Sequence, residues 1–403
     1  MKCVLTAIGT RGDVFPFIGL GAGLQARGHD VTLITHAPFA DYVRGAGLDF
    51  VQVGPEKEYL ECLSANPAIW DAQEAWPEVA ACCTGLAPEL YDLLERTIEP
   101  ARTVVVAHYL DLASPFLRER RQVPTVTVVG SPMGFRFADE YVADPEMLVP
   151  QLGSPRLPVS MGWSFSPLLT VALFPAWFAP AEPDWPECVR VTGFPLFDTI
   201  EPVPAHVDAF IAAGSPPIVF RPGPPVELGT DADQHAFVRA AVEACASLGR
   251  RGLLLNLRDT PPDLPSSMHA ARFAPLTSIL PRCAALVHHG GIGSVGVGLA
   301  SGVPQLATPF CLDQPDNAAR MKQLGVGDWL APADVSGSAV AAKLQPLLGS
   351  SGVARRCKDL ADRCRRVDGI AATCDLVESA APPLVRRRVA QAAGAGATAS
   401  GCG

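Results

Sequence analysis

Short apolar runs alternate along this chain with stretches whose apolar positions recur at helical spacing. Val4 to Ile8 reads as a buried strand, and the turn Gly9-Thr10-Arg11-Gly12-Asp13 follows it. Pro16 stands where a first helical turn tolerates proline. Phe17, Leu20 and Leu24 then mark one face of a helix, which Gly28 closes after Arg27. Val31 to Thr35 returns as a strand. Strand, helix and strand in such quick succession are the βαβ signature of parallel strands covered by helices. The pattern restarts past the middle, with a strand at Ile218 to Phe220 and a proline-rich turn around Gly223. A helix is predicted from about Asp231 to Leu248, with Thr230 or Asp231 as N-cap and Gly252 closing it. Further strands are predicted at Leu253 to Leu257, Ala284 to His288 and Val303 to Thr308.

Between the halves lies a proline-heavy stretch from Pro175 to Pro225, the composition of a hinge or linker. The predicted fold is therefore α/β: two Rossmann-like domains whose parallel sheets face a central cleft, with the seam near residues 198–215. Residues 1–200 form the N-terminal domain and residues 201–381 the C-terminal one. The Ala/Gly/Ser-rich residues 382–403 are predicted to be a disordered tail.

Composition narrows the classes. The chain has 403 residues, 48% of them hydrophobic and 18% charged, which excludes an intrinsically disordered protein. A net charge of −9 with no long Lys/Arg tract argues against a nucleic-acid partner. Arg11 and Asp13 interrupt the N-terminus before a secretion signal can form. The best candidate for a membrane span, Met161 to Pro180, is broken by Pro167 and Pro175, so a buried strand or turn is expected there. The 12 cysteines are scattered, without a C-x-x-C, as reduced thiols of a cytoplasmic protein would be.

The most informative segment is His288-His289-Gly290-Gly291-Ile292-Gly293-Ser294, which follows a predicted strand and opens a predicted helix. A glycine turn there directs backbone N–H groups outward in the positive end of the helix dipole, which suits a phosphate. A tight turn with glycines for packing and an internally satisfied histidine is the competing reading. Asp313-Gln314 and Asn317 follow the next strand, at the sheet edge where open α/β folds bind ligands.

The run HHGGIGSVGVGLASGVPQLATPFCLDQPDNAARMKQLGVG resembles the donor-sugar motif of GT-B fold, family 1 glycosyltransferases, most of all the bacterial rhamnosyltransferase and sterol-glucosyltransferase branch. GTRGDVFPFIGLGAGLQARGHDVTLITH near the start and VTGFPLFD at 191–198 resemble that branch too. The resemblance implies that His288 binds the donor diphosphate, with Gly291, Ile292, Gly293 and Ser294. Asp313 and Gln314 would bind the donor sugar, and Asn317 a sugar or phosphate oxygen. Phe273 would stack on the nucleobase, and the Ala274 backbone would pair with its edge. Asp13 of the G-x-R-G-D loop would be the general base, within about 3 Å of the acceptor hydroxyl; a helix cap is its competing reading. His36 and His108, which end or follow strands of the first half, would touch the acceptor or serve the structure.

Two patterns are set aside. Gly21-Ala22-Gly23-Leu24-Gln25-Ala26 matches a dinucleotide fingerprint but lies inside the first helix, away from the strand-to-helix turn where that motif works. Asp231-Ala232-Asp233 mimics a metal-binding D-x-D but starts a helix, so capping explains it, and neither a metal nor another cofactor is expected. One departure stands out. Where the family carries a small hydroxyl residue near the α-phosphate, this chain reads Phe220-Arg221-Pro222-Gly223-Pro224-Pro225. Arg221 could supply charge to the diphosphate, or Pro224 could weaken binding.

The function expected is an inverting, metal-independent glycosyltransferase of the hexosyltransferase type. It would move a sugar from a UDP- or TDP-sugar to a hydroxyl of an apolar small molecule, as in antibiotic biosynthesis. Trp70, Trp76, Met133, Phe135, Phe137, Trp163 and Trp177 are available to line an acceptor pocket, Phe135 first among them. The alternatives are a glycolipid- or sterol-directed transferase with peripheral membrane contact, and a non-catalytic nucleotide-sugar binding protein.

Overall fold

The computed structural model describes residues 1–57, 59, 67–99, 101–140, 161–197, 201–223, 230–259, 261 and 263–381. Pro224 and residues 382–403, on which expectations rested, lie outside them. Among the described residues are two parallel sheets. The first contains β1 (Lys2–Thr6), β2 (Asp30–Thr35), β3 (Asp49–Gln52), β4 (Thr103–His108), β5 (Thr125–Val129), β6 (Thr170–Ala172) and β7 (Val189–Val191). Their order is β3-β2-β1-β4-β5-β6-β7. The central strands are buried on both faces, which is why β4 (TVVVAH) reads as a continuous apolar run and not as an alternation.

The second sheet contains β8 (Ile218–Arg221), β9 (Gly252–Leu255), β10 (Met268–Ala271), β11 (Ala285–His288), β12 (Gln305–Ala307) and β13 (Gly327–Trp329), in the order β10-β9-β8-β11-β12-β13. The helices that matter below are α1 (Arg11–Ala26), α2 (Asp231–Leu248), α3 (Ile292–Ser301), α4 (Gln314–Gln323) and α5 (Gly369–Ala380). Met161 to Pro180 holds the buried strand β6, and no helix of the described residues is long and apolar enough to cross a membrane.

Three boundaries differ from expectation. Helix α1 starts at Arg11, well before Pro16, because Thr10 and Asp13 close a capping box. Helix α2 is capped by Thr230 with Asp233 and closed by Gly249 at φ +60°, whereas Gly252 already belongs to β9. The chain also does not divide at a single point. One body comprises Met1–Glu56, Val79–Gly193 and the residues from Gly369 on; the other comprises Lys57–Glu78 and Phe194–Asp368. The last helix returns to the first body because α5 packs on α1. A Cβ on Gly23 would lie 3.0 Å from Cys374 Sγ and from Ile370 Cγ2, and Arg27 pairs with Glu378 at 2.9 Å. The glycines of the fingerprint-like run thus serve packing: Gly21 admits Leu48, and Gly23 admits α5.

Candidate functional site

Parallel strands place all their C-terminal ends on one edge, and the candidate residues of each body gather on that edge. In the first body the loop after β1 carries Asp13. Its Oδ2 accepts hydrogen bonds from the Thr10 backbone N–H at 2.8 Å and the Thr10 hydroxyl at 3.2 Å. Gly9 has φ +123°, and a Cβ there would overlap the Asp13 carboxylate, so only glycine fits. Asp13 Oδ1 lies 3.6 Å from His108 Nε2, and 30% of the Asp13 side chain is exposed, so a ligand can reach it.

His108 and His36 are both buried. Burial pushes the His108 imidazole down to about 3 and that of His36 to about 4, so both are neutral at physiological pH. His36 Nε2 accepts the Gly9 N–H at 3.5 Å and so braces the Asp13 loop. Phe135 belongs to the same body. It is 5% exposed and stacks on Trp185 at 4.1 Å between ring centroids, as a core residue does.

In the second body the loop after β11 opens α3. Gly290 takes φ +93°, and Gly291 is the N-cap. His288, the imidazole assigned to the diphosphate, is 1% exposed. It is the last residue of β11, between Arg221 of β8 and Ala307 of β12. Its Nδ1 accepts the Gly290 N–H at 3.0 Å, which leaves the proton on Nε2, directed inward beside Gln305. The sequence reading missed the histidine at the loop surface, His289. A Cβ on Gly291 would lie 2.6 Å from His289 Nε2, and one on Gly223 would lie 2.7 Å from His289 Cβ. His289 therefore lies against both glycine turns of the edge. Its other side faces the Pro222 carbonyl, and burial together with the Arg221 charge holds its pKa well below the usual histidine range.

Arg221 ends β8 and donates from Nη1 to Ser294 Oγ at 2.7 Å, across the first turn of α3. Ser294 is itself buried, while Gly293 opens onto free space. A guanidinium, an imidazole and a helix N-terminus thus converge on the glycine loop, which is the chemistry of an anion site.

Asp313 is half-buried and is the N-cap of α4. Its carboxylate accepts from Asn317 Nδ2 at 2.7 Å. Burial raises its pKa to about 6. Asn317 is 0% exposed and also donates to the Gly290 carbonyl at 3.1 Å, so it braces the two loops internally. Gln314 is buried, and its side-chain oxygen accepts the Phe310 N–H at 2.9 Å. Phe273 is half-buried beyond the end of β10, and the side chain of Ala274 is buried.

Two family models match the chain. The glycosyltransferase family 28 N-terminal domain matches residues 3–132, and the erythromycin biosynthesis protein CIII-like C-terminal domain matches residues 255–365. The chain is 29% identical to the O-mycaminosyltylonolide 6-deoxyallosyltransferase of Streptomyces fradiae, over 94% of this chain and 97% of that one. It is 28% identical to an uncharacterized glycosyltransferase of Mycobacterium tuberculosis, over 94% and 99%. Among solved structures, the spinosyn rhamnosyltransferase complexed with thymidine diphosphate superposes with a TM-score of 0.71 at 21% identity, covering 94% of this chain and 100% of that one. The same enzyme has been solved with the spinosyn aglycone, with a TM-score of 0.70 at 22% identity and the same coverage.

Proposed function

The chain is a glycosyltransferase of GT-B family 1, related to the antibiotic glycosyltransferases, and we propose that it transfers a sugar from a TDP-sugar to a hydroxyl of an apolar small molecule, with inversion at the anomeric carbon. The observation that carries this reading is the convergence of Arg221, His289 and the α3 N-terminus on one glycine loop. Thymidine diphosphate is the nucleotide of the spinosyn relative, which favours TDP over UDP.

In this reading the diphosphate lies on the N–H groups of Gly293 and Ser294, between the Arg221 guanidinium and His289 Nε2. His289 donates to it from Nε2–H as a neutral imidazole, in keeping with the burial and Arg221 charge that hold its pKa down. Phe273 and the Ala274 backbone receive the base, and Asp313 and Gln314 bound the sugar end. Asp13 removes the proton from the acceptor hydroxyl. The new C–O bond forms as the bond to the diphosphate breaks, and TDP leaves with the electron pair. The growing charge on the leaving group falls on Arg221, His289 and the helix end, so the step proceeds without a metal ion.

The test is thermal stability with TDP, UDP and ADP for the wild type, His289→Ala and His288→Ala. A nucleotide at about 100 times its dissociation constant stabilises by about 2.7 kcal/mol. A TDP shift that disappears in His289→Ala supports the reading. A wild type that shifts with none of the three nucleotides, or a shift that survives His289→Ala, rejects the site.

A further inference from the structure

Packing alone does not explain an imidazole where His108 stands. The ring is buried at the end of β4, and Phe17 and Tyr109 clamp it at 5.6 and 4.6 Å between ring centroids. A phenylalanine would fill that place without a polar atom. The imidazole instead leaves Nδ1 buried with no hydrogen-bond partner among the described residues, an arrangement that costs stability. Its other nitrogen, Nε2, lies 3.6 Å from Asp13 Oδ1.

These surroundings fix the tautomer. A neutral ring carries one proton, and a bare Nε2 would turn its lone pair toward the carboxylate charge. With the proton on Nε2 the ring donates toward an anion, and only an acceptor lone pair is stranded at Nδ1. Asp111, the other carboxylate that follows β4, is engaged elsewhere. It is 1% exposed and accepts from Thr6 Oγ1 at 2.6 Å and from the Ala113 and Ser114 N–H groups at 2.8 Å.

We propose that His108 is a positioning residue for the transfer: its Nε2–H keeps Asp13 Oδ1 aimed at the acceptor hydroxyl, while Thr10 holds Oδ2. This rests on the reading of Asp13 as the base and deepens it. The separation of 3.6 Å is longer than a hydrogen bond, and catalytic contacts of this kind tighten once substrate is bound. The acceptor proton passes to Asp13 Oδ1 as the new C–O bond forms. The bond to the diphosphate breaks, and its electron pair leaves with TDP. His108 keeps its own proton throughout, because the unpartnered Nδ1 offers no onward path for one.

Two readouts test this. The first needs no substrate: long-range nitrogen–proton NMR spectra of the full chain labelled at histidine, with the His108 signals identified as those missing from His108→Gln. A protonated Nε2 and a bare Nδ1 are expected, and a proton on Nδ1 overturns the proposal. The second is transfer with the TDP-sugar and apolar alcohol that the wild type turns over fastest in a screen of such pairs. His108→Phe keeps the ring packing but has no N–H. Its kcat should fall about 10- to 100-fold, with both KM values within about twofold, as for a lost hydrogen bond to a charged group. His108→Gln carries an N–H of similar reach and should regain most of that loss. Wild-type kcat in His108→Phe, or a loss that His108→Gln does not restore, overturns the role. Should either variant fail to fold, the tautomer decides, assigned with the other. Asp13→Asn separates the two readings. Wild-type kcat in Asp13→Asn removes the base, and the role of His108 with it; loss in Asp13→Asn beside wild-type kcat in His108→Phe overturns the role of His108 alone. A wild type that turns over no pair removes the transferase reading and the positioning role together, whichever tautomer is found.

Discussion

Asp13 Oδ1 and His108 Nε2 lie 3.6 Å apart, while the other oxygen of Asp13 closes the capping box with Thr10. One carboxylate thus has a side that caps the helix and a side that faces His108. Asn keeps the oxygen that caps the helix but cannot act as a base, so Asp13→Asn should fold normally and bind TDP as the wild type does. Its transfer rate should fall by about 10²–10⁴. Asp13→Ala should lose the same activity and also about 1 kcal/mol of stability with the cap. Single-turnover transfer beside thermal melts separates the two, and an Asp13→Asn protein with wild-type rate would remove Asp13 from the chemistry.

Arg221 carries the only formal charge that β8 brings to the glycine loop. Charge-assisted bonds contribute about 1.5–3 kcal/mol, so Arg221→Ala should weaken TDP binding roughly 10- to 100-fold, and steeply so at low salt. Ser294→Ala removes the hydroxyl that orients the guanidinium but leaves the charge, and should cost less. Titration calorimetry at two salt concentrations checks the order; equal losses would show that orientation outweighs charge.

Stability should fall below neutral pH. His36, His108 and His288 have folded pKa values of about 4, 3 and 3, against about 6.5 when unfolded. Between those limits the unfolded chain binds more protons, so the stability present above pH 6.5 is lost as pH falls. Each group removes on the order of 1–2 kcal/mol by pH 5. Asp313 has the opposite sign: its folded value of about 6 lies above the unfolded one, so acid relieves its burial penalty and offsets part of the loss. Melting temperatures should therefore drop from pH 7 to pH 5, and drop further in Asp313→Asn, corrected for its starting stability, because that chain lacks the offsetting acid. A flat profile would mean that the three imidazoles reach solvent.

Much of this was legible in the sequence, for identifiable reasons. Doubly buried parallel strands write continuous apolar runs, so β1, β2, β8, β9 and β11 were placed within a residue or two. Thr230 and Asp233 announce the start of α2 through their own capping chemistry. The choice between His288 and His289 was not legible, because adjacent imidazoles differ only in which one is the last strand residue. The strand predicted to end at His288 matches β11, and which imidazole lies against the two glycine turns depends on packing that the strand end does not reveal. Asp313 and Asn317, at helical i,i+4 spacing, share one face, a clue to their mutual bond. The Gly290 carbonyl, which Asn317 also holds, is remote in sequence, and only tertiary packing reveals it. The packing of Phe135 was not legible, because a lone aromatic in a variable stretch carries no sign of the Trp185 ring beside it.

The packing of α5 on α1 yields the last prediction. Gly23 lies where the two helices touch, with Cys374 and Ile370 each 3.0 Å from the place of its Cβ. Alanine gains about 1 kcal/mol of helix propensity over glycine, and this roughly cancels the crowding. Leucine has no space, and overpacking of this kind costs about 1–3 kcal/mol. Gly23→Leu should therefore push α5 off and expose the His29–Glu378 pair, which lies at 2.7 Å. Amide hydrogen exchange should show α5 losing protection while β8 to β13 keep theirs, with TDP affinity unchanged. If the glycine run were a dinucleotide fingerprint, the wild type would instead bind NADH and Gly23→Leu would lose it. Fluorescence titration with NADH tells the two apart, and packing predicts no binding by either protein.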